Sequence, residues 1–422
     1  MKLHAQSVGG RPVHLTYCTN IHPAETWAEV FTVVDTHVRA VKQMVSPNAP
    51  MGVGLRLSRV ATQTLISSPD ELLKFRQYLQ ANELYVFTLN GFPYGPFHGQ
   101  PVKEAVYRPD WMEVERVHYT QELAGVLAAL LPDPASDWGK RIGPIAGSIS
   151  TVPGCFRGRA ASHGHAFEQM ADHLLVAVAT LISIVKDGGP TIGLALEPEP
   201  HCVFETTAEM VSYFSRYLYT EQSASKLATL TGLDLLSAAH ALRSHLGICL
   251  DACHAAVEYE SPDESLALLH HSGVPVFKIQ ISAGLRLPAP TPRALAALQP
   301  FVEGVYLHQT VVRRGEALVR HLDLPDALQA ASLGDIGEEW RIHFHVPVFT
   351  DRLSDSLSRF ESTSEFLTDL LRQLSKTPLS AHLEVETYTW DVLPETLRTS
   401  SVDEAIAREL NWTLAALGQP LP

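Results

Sequence analysis

The sequence predicts an α/β protein, a closed (β/α)8 TIM barrel with an inserted hairpin and long βα loops, built as one domain over residues 1–422. Three observations point there. Short β-rich runs alternate with helical stretches along the chain, the order that parallel strands with crossover helices require. Within the runs, apolar residues alternate with small or polar ones, so one face of each strand meets helices and the other a polar interior. An open, doubly wound sheet would be apolar on both faces. Finally, helix starts carry a hydroxyl residue followed by proline at Ser68-Pro69, Ser261-Pro262 and Thr291-Pro292.

The runs fall at 14–20, 52–58, 84–90, 147–152, 191–199, 246–253, 276–282, 305–310, 341–349 and 381–390. Parity is plain in most of them. Leu55 and Leu57 flank Arg56, and Ile192, Leu194 and Leu196 alternate with Gly193, Ala195 and Glu197. Ile248 and Leu250 alternate with Cys249 and Asp251, and Phe277, Ile279 and Ile281 with Lys278, Gln280 and Ser282. Ile342, Phe344 and Val346 alternate with His343, His345 and Pro347, and Leu383 and Val385 with His382, Glu384 and Glu386. Ten runs are too many for eight places. Residues 304–324 read as a hairpin turning at Arg314-Gly315, an inserted ribbon, and one further run is surplus.

Composition removes several classes of function. Acidic residues outnumber basic ones 46 to 32, for a net charge of −14, which argues against a nucleic-acid partner that clustered Lys and Arg would hold. With 45% hydrophobic residues the chain can bury a core rather than remain disordered. The longest apolar run, residues 174–185, is shorter than the roughly 20 residues a bilayer demands. It reads as a buried helix, with no membrane insertion. The N-terminal MKLHAQSVGG lacks the apolar centre of a secretion signal, so a cytoplasmic location is expected. Cys18, Cys155, Cys202, Cys249 and Cys253 form no Cys-x-x-Cys pair and read as reduced, mostly buried thiols.

The chemical signal lies at the strand C-termini, where barrel active sites sit. Inward parity there brings Glu197 and Glu199, Asp251 with His254 just beyond, Gln280, His343 and His345, and Glu384 and Glu386. Ionised carboxylates buried together are costly unless a cation compensates them. About three carboxylates with one or two imidazoles suit a divalent ion: Mn²⁺, Mg²⁺, Co²⁺ or Zn²⁺. Of each carboxylate pair one is favoured as a ligand, Glu386 because it stands nearer the mouth and Glu197 because it ends the regular strand before Pro198, with either Gln280 or His345 as the fourth. His308, on the ribbon, reads as structural. A second polar set, His14, His22, Arg56, Asn90, His98 and Lys103, comes earlier, and His22, Arg56, Asn90, His98, His254 and His343 are expected around a substrate. The stretch 89–111, dense in Gly, Pro and aromatics, is either a shaped lid carrying Phe92, Tyr94, Phe97 and His98 or an ordinary long loop.

At Glu197-Pro198, at the Asp-x-x-His of Asp251–His254 and at the late strand ending in Glu386, the chain resembles the xylose isomerase-like barrels, which include sugar-phosphate isomerases and ketose 3-epimerases. The resemblance implies that Glu197, Asp251 and Glu386 hold one divalent metal, that Glu197 and Glu386 move a proton, and that His254 binds substrate. It departs at the histidine ligand, where the strand after Asp251 offers Gln280 and His345 comes later. The segments LTYCTNIHPAETW (15–27), TLNGFPYGPFHG (88–99), GSISTVPG (147–154), KIQIS (278–282), HFHVPVF (343–349) and HLEVETYTWDVLP (382–394) resemble, more narrowly, the EboE family of metabolite traffic proteins. The bacterial gene-cluster setting of that family implies a cyclitol or related polyol as ligand.

The first functional expectation is a metal-dependent isomerase or epimerase that moves a proton on a small polyhydroxylated metabolite through an enediolate. Pathway protein partners accompany that expectation. A non-catalytic carrier with the same pocket is the alternative. A metal hydrolase is the third reading, weakened because the His-x-His pair, His343-Phe344-His345, stands near the wrong end of the chain.

Overall fold

A computed structural model describes residues 1–3, 12–334, 336–353, 360–377, 379–398 and 400–419. Its strands are, in chain order, β1 (His14–Tyr17), β2 (Met51–Arg56), β3 (Leu84–Asn90), β4 (Gly147–Thr151), β5 (Ile192–Leu196), β6 (Leu246–Asp251) and β7 (Val276–Ile281). There follow β8 (Gly284–Leu287), β9 (Thr310–Arg314), β10 (Ala317–His321), β11 (Glu339–His345), β12 (Glu361–Ser362) and β13 (His382–Val385). Eight of them form one parallel sheet in the order β1-β13-β7-β6-β5-β4-β3-β2, with helices between successive strands. That is the expected (β/α)8 barrel. Its seam lies between β1 and β2, where a single parallel bridge, Cys18 to Gly54, replaces a full ladder. Threonine hydroxyls supply the missing bonds: Thr16 Oγ1 donates to Gly52 O at 2.9 Å and accepts from Gly54 N at 3.0 Å. One turn higher, Thr19 Oγ1 accepts from Arg56 N at 2.9 Å.

The two surplus runs are now placed. The second, antiparallel sheet, β10-β9-β11-β8-β12, is inserted between β7 and β13; the run 305–310 meets it only at Thr310, where β9 begins, and the run 341–349 through β11. The ribbon is β9–β10, turning after Arg314 as its sequence suggests, and the other surplus run is β11. His343 and His345 therefore stand on the insertion and not on a barrel strand. Alternation alone could not separate the two sheets, because both have a buried face and period two.

The barrel floor carries another departure from simple parity. Register shifts on β2–β3 and β6–β7 leave Phe87 and Phe277 bulged. Each ring turns inward and fills the space that a glycine leaves, Phe87 over Gly52 and Phe277 over Gly193, where an added Cβ would lie 2.6 Å from the ring. Phe277 was expected to face the helices with Ile279; the bulge puts it in the lumen instead. Around these rings the polar groups of the floor are paired. His14 meets Tyr85 at 2.8 Å, His382 meets Ser148 at 2.8 Å, and Ser148 meets Thr88 at 2.8 Å. At mid-height Lys278 and Glu384 form a fully buried ion pair at 2.5 Å. Burial alone would lower the Lys278 ammonium, but Glu384 holds it above its usual value.

The outer shell follows the capping signals. Proline opens the helices Pro69–Ala81, Pro262–Ser272 and Pro292–Ala296, and capping boxes start those after Thr26, Thr206, Asp323 and Ser401. The apolar run 174–185 lies in the helix Ala166–Lys186, which is long and apolar enough to cross a membrane by composition. Here Met170, Leu174, Val178 and Leu181 are buried against the rest of the fold. All five cysteines are buried and free. The C-terminal helix Val402–Ala416 braces the barrel mouth through Glu409, which accepts from Val348 N at 3.1 Å and Thr387 Oγ1 at 2.7 Å.

Two stability predictions follow from these contacts. A Cβ on Gly54 would overlap Glu384 Oε1 and sit 2.8 Å from the Tyr17 carbonyl, and the Lys278 pair fixes that carboxylate. Gly54→Ala is expected to cost about 1–3 kcal/mol, as overpacking does. Gly304→Ala, with open space at its Cβ, is the control for thermal unfolding. The second concerns Glu409, whose carboxyl burial raises from 4.5 to about 7. A raised folded pKa contributes stability below the unfolded pKa and loses it as pH rises through the folded one. Relative to the parent, Glu409→Gln should gain about 2–3 kcal/mol between pH 5 and pH 8.5. A pH-independent difference in denaturant melts would contradict that assignment.

Candidate metal centre

Three carboxylates converge at the C-terminal mouth of the barrel. One oxygen each from Glu197, Asp251 and Glu386 lies within 4.8 Å of the others, and all three residues are buried. The chain brings them together from β5, β6 and the end of β13, each immediately past or at the last strand residue. Asp251 caps the helix Ala252–Val257: its Oδ1 accepts from His254 N at 2.9 Å and from Ser282 Oγ at 2.7 Å. Glu386 Oε1 accepts from Asn20 Nδ2 at 2.8 Å and Asn90 Nδ2 at 2.9 Å. In each case the second oxygen is left for the site. Asp251 Oδ2 and Glu197 Oε2 are buried with no hydrogen-bond partner.

The electrostatics follow from that crowding. Burial, then Glu386 and Asp251, hold the Glu197 carboxyl well above the usual carboxylate range. Glu386 is raised likewise, by burial and then by Asp251 and Glu384. Asp251 goes the other way. Burial opposes its ionisation, but His254 and His345 and the two hydrogen bonds on Oδ1 outweigh it and keep the carboxyl low. Unpartnered buried carboxylate oxygens aimed at one point fit a divalent cation, which would satisfy all of them at once.

The imidazoles are oriented by their Nδ1 atoms. His345 Nδ1 meets the Glu386 carbonyl at 2.7 Å, so it carries the proton and its Nε2, buried and unpartnered, presents a lone pair. Burial pushes that imidazole down to about 4, which keeps it neutral. A nitrogen of His345 lies within 4.8 Å of Asp251 and of His254 ligand atoms. His254 Nδ1 donates to Pro198 O at 2.9 Å, and His343 Nδ1 to Gln309 Oε1 at 2.8 Å. The Gln309 amide is set by its own Nε2, which donates to Pro200 O at 3.2 Å. The two Nε2 atoms of His254 and His343 then stand 3.1 Å apart, and burial, with His254 alongside, pushes the His343 imidazole well below its usual range. Glu199, held by Tyr107 Oη at 2.6 Å, sits beside this pair, 3.7 Å from His343 Nδ1.

The remaining expected residues divide sharply. Gln280 lies in register with Asp251 and Glu384, fully buried, and neither amide atom has a partner. Glu384 is spent on Lys278, leaving Glu386 as the glutamate nearer the mouth. Asn90, His254 and His343 line the central pocket. Arg56 does not: its guanidinium binds Glu25 at 2.8 Å and the carbonyls of Ala24, Pro93 and Gly95. His22 also lies elsewhere, stacked on His37 at 4.3 Å beside a separate cleft with Asp391 and Asp403. His98 is a rivet, bonded to Asn20 O at 2.6 Å and Tyr306 Oη at 2.8 Å. His308 joins Glu303 and the His343 carbonyl, a structural place. His14 belongs to the barrel floor and Tyr94 packs on Tyr119.

Sequence reasoning missed Asn20, Tyr107, Gln309 and Tyr388, all close to these groups. Asn20, at a strand end beside a histidine, carried a faint signal. The others come from loops and the insertion, where no period constrains them.

No protein-family model matches the chain, and no curated protein matches it in sequence. Solved structures similar to it include the IOLI protein with a bound zinc atom, at 12% identity and TM-score 0.42, over 96% of this chain and 98% of that one. L-ribulose 3-epimerase is similar at 9% identity and TM-score 0.45, over 96% and 95% of the two chains. A xylose isomerase-like TIM barrel protein from Mycobacterium smegmatis, in complex with magnesium, is similar at 10% identity and TM-score 0.44, over 96% of each chain.

Proposed function

We propose that this chain is a divalent-metal-dependent isomerase or epimerase of the xylose isomerase-like kind, acting on a small polyhydroxylated molecule by moving a proton at a carbon next to a carbonyl. The observation that carries it is the trio Glu197, Asp251 and Glu386, gathered within 4.8 Å with two of their oxygens buried and unpartnered. These three would hold the ion. His345, with a free Nε2 beside Asp251, is the fourth donor in preference to Gln280, whose neutral amide is the poorer ligand. When bound, the ion supplies Lewis acidity that polarises a carbonyl and its neighbouring hydroxyl.

The protein's own groups do the rest. Asn20 and Asn90 clamp Glu386 through Oε1, which fixes the carboxylate beside the space a substrate carbon would enter. Glu197 faces the same space without a hydrogen bond on Oε2 and is the second group able to hold or return the proton. His254, oriented by the Pro198 carbonyl, and His343, oriented by Gln309, line the pocket wall where substrate oxygens would sit. The resemblance of segments such as 15–27 and 382–394 to the EboE family supports a cyclitol or related polyol as ligand, in a bacterial metabolite pathway with protein partners.

Dialysis against a chelator followed by titration with Mn²⁺ or Zn²⁺ tests the centre. Glu197→Gln, Asp251→Asn and Glu386→Gln should each weaken metal binding at least tenfold, and His345→Ala more than Gln280→Ala. The loaded protein should exchange a carbon-bound proton of a ketose or ketocyclitol for deuterium, and Glu386→Gln should abolish the exchange. Ligand binding that survives Glu386→Gln, with no exchange in the parent, would mark a carrier. Failure to retain any divalent ion would sink the reading.

A further inference from the structure

The pocket above the carboxylates has two unlike halves. The floor offers Glu197, Glu199, Glu386, Asn20, His254 and His343. It is rich in acceptors, and Asn20 Oδ1 is one more, buried and unpartnered. The upper wall is apolar and aromatic. Phe97, Tyr306 and Tyr388 form a triangle with ring centroids 5.2, 5.4 and 5.1 Å apart, flanked by Val102 and Val106. The Tyr306 hydroxyl is taken by His98 at 2.8 Å, while that of Tyr388 reaches 3.4 Å toward His343 on the floor. Phe97 and Tyr306 therefore show the pocket ring carbon.

Cations are scarce there. Among the described lining residues Lys103 is the one lysine or arginine. Its ammonium is already bound, to Tyr306 O at 2.5 Å, Asp323 at 2.7 Å and Glu303 O at 3.2 Å. Arg56 is consumed below by Glu25 and three carbonyls. A phosphate or carboxylate entering the pocket would find no free Lys or Arg among the described lining residues, and the charge of a divalent ion would already be shared with Glu197, Asp251 and Glu386. The space among these residues, about 530 Å³ with its open mouth included, admits a small molecule.

We infer that the ligand is an uncharged polyol carrying a ring-sized apolar substituent, with hydroxyls on Asn20 and the carboxylate floor and the substituent against Phe97, Tyr306 and Tyr388. This rests on the proposed function for the hydroxyl end only; the apolar end stands on the wall itself. The wall is firmly built. Val102 N and Lys103 N both bond to Val305 O, at 2.9 and 3.1 Å, stitching the long loop after β3 to the inserted sheet.

Calorimetric titration of the full chain, saturated with the divalent ion it binds, compares three probes: myo-inositol, myo-inositol 1-phosphate and 1-O-benzyl-myo-inositol. The benzyl ether should bind at least tenfold tighter than the parent polyol, and the phosphate weaker than the parent. Phe97→Ala and Tyr306→Ala should each erase most of the benzyl advantage while leaving metal affinity unchanged. A phosphate that binds tightest, a benzyl ether no tighter than inositol, or no binding by any probe overturns the inference. The ranking in the parent protein needs no variant to fold. Loss of metal binding with the benzyl preference intact would strike the metal reading alone.

Discussion

Mutual repulsion among buried carboxylates is the constraint around which the rest of the molecule is arranged. Glu197, Asp251 and Glu386 stand close enough that, fully ionised, each pair would repel by about 3 kcal/mol even at an effective dielectric near 20. The protein offsets only part of this. Ser282 and the His254 amide steady Asp251, and Asn20 and Asn90 steady Glu386, while Glu197 receives no such bond on Oε2. Beneath them, Lys278 is neutralised by Glu384 and adds little net charge. A cluster left unbalanced by its own scaffold is suited to an external cation.

The barrel by itself supplies the acids, and the insertion supplies the environment. His343 and His345 reach the mouth from β11, and Tyr306 and Gln309 from the segment leading into β9. The loop after β3 completes the cover through Phe92 and Phe97 and is bonded to the insertion at Val305. The second sheet thus does two things. It places imidazole beside a metal-type cluster whose barrel strand carries Gln280 in its register, and it closes the pocket with aromatic carbon. Helix Val402–Ala416 then pins both margins of that mouth through Glu409, near the backbones that carry His345 and Glu386.

How much of this the sequence disclosed varies with the kind of residue. Glu197, Asp251 and Glu386 were legible because a strand's period of two puts polar residues on the lumen side, with a burial cost attached to each, and His254 through its Asp-x-x-His spacing from Asp251. Arg56 and His22 share that parity or stand near strand ends, yet their polar atoms are bound to other partners. Parity tells which way a side chain leaves the strand and says nothing of what awaits it. Phe277 shows the opposite limit, since one bulged residue reverses its face without any mark in the alternation.

The sequence alone determined the strand–helix order, the polar lumen, the inserted ribbon and the three acids at the mouth, because local periodicity and desolvation cost are written in consecutive residues. Tertiary structure decided that β11 lies outside the barrel, that His345 approaches Asp251 from the insertion, and that Arg56 and Lys103 are already neutralised. Those outcomes depend on contacts between segments far apart in the chain, such as Lys103 with Asp323 and His345 with Glu386, and no local pattern encodes which distant partner a buried charge will find.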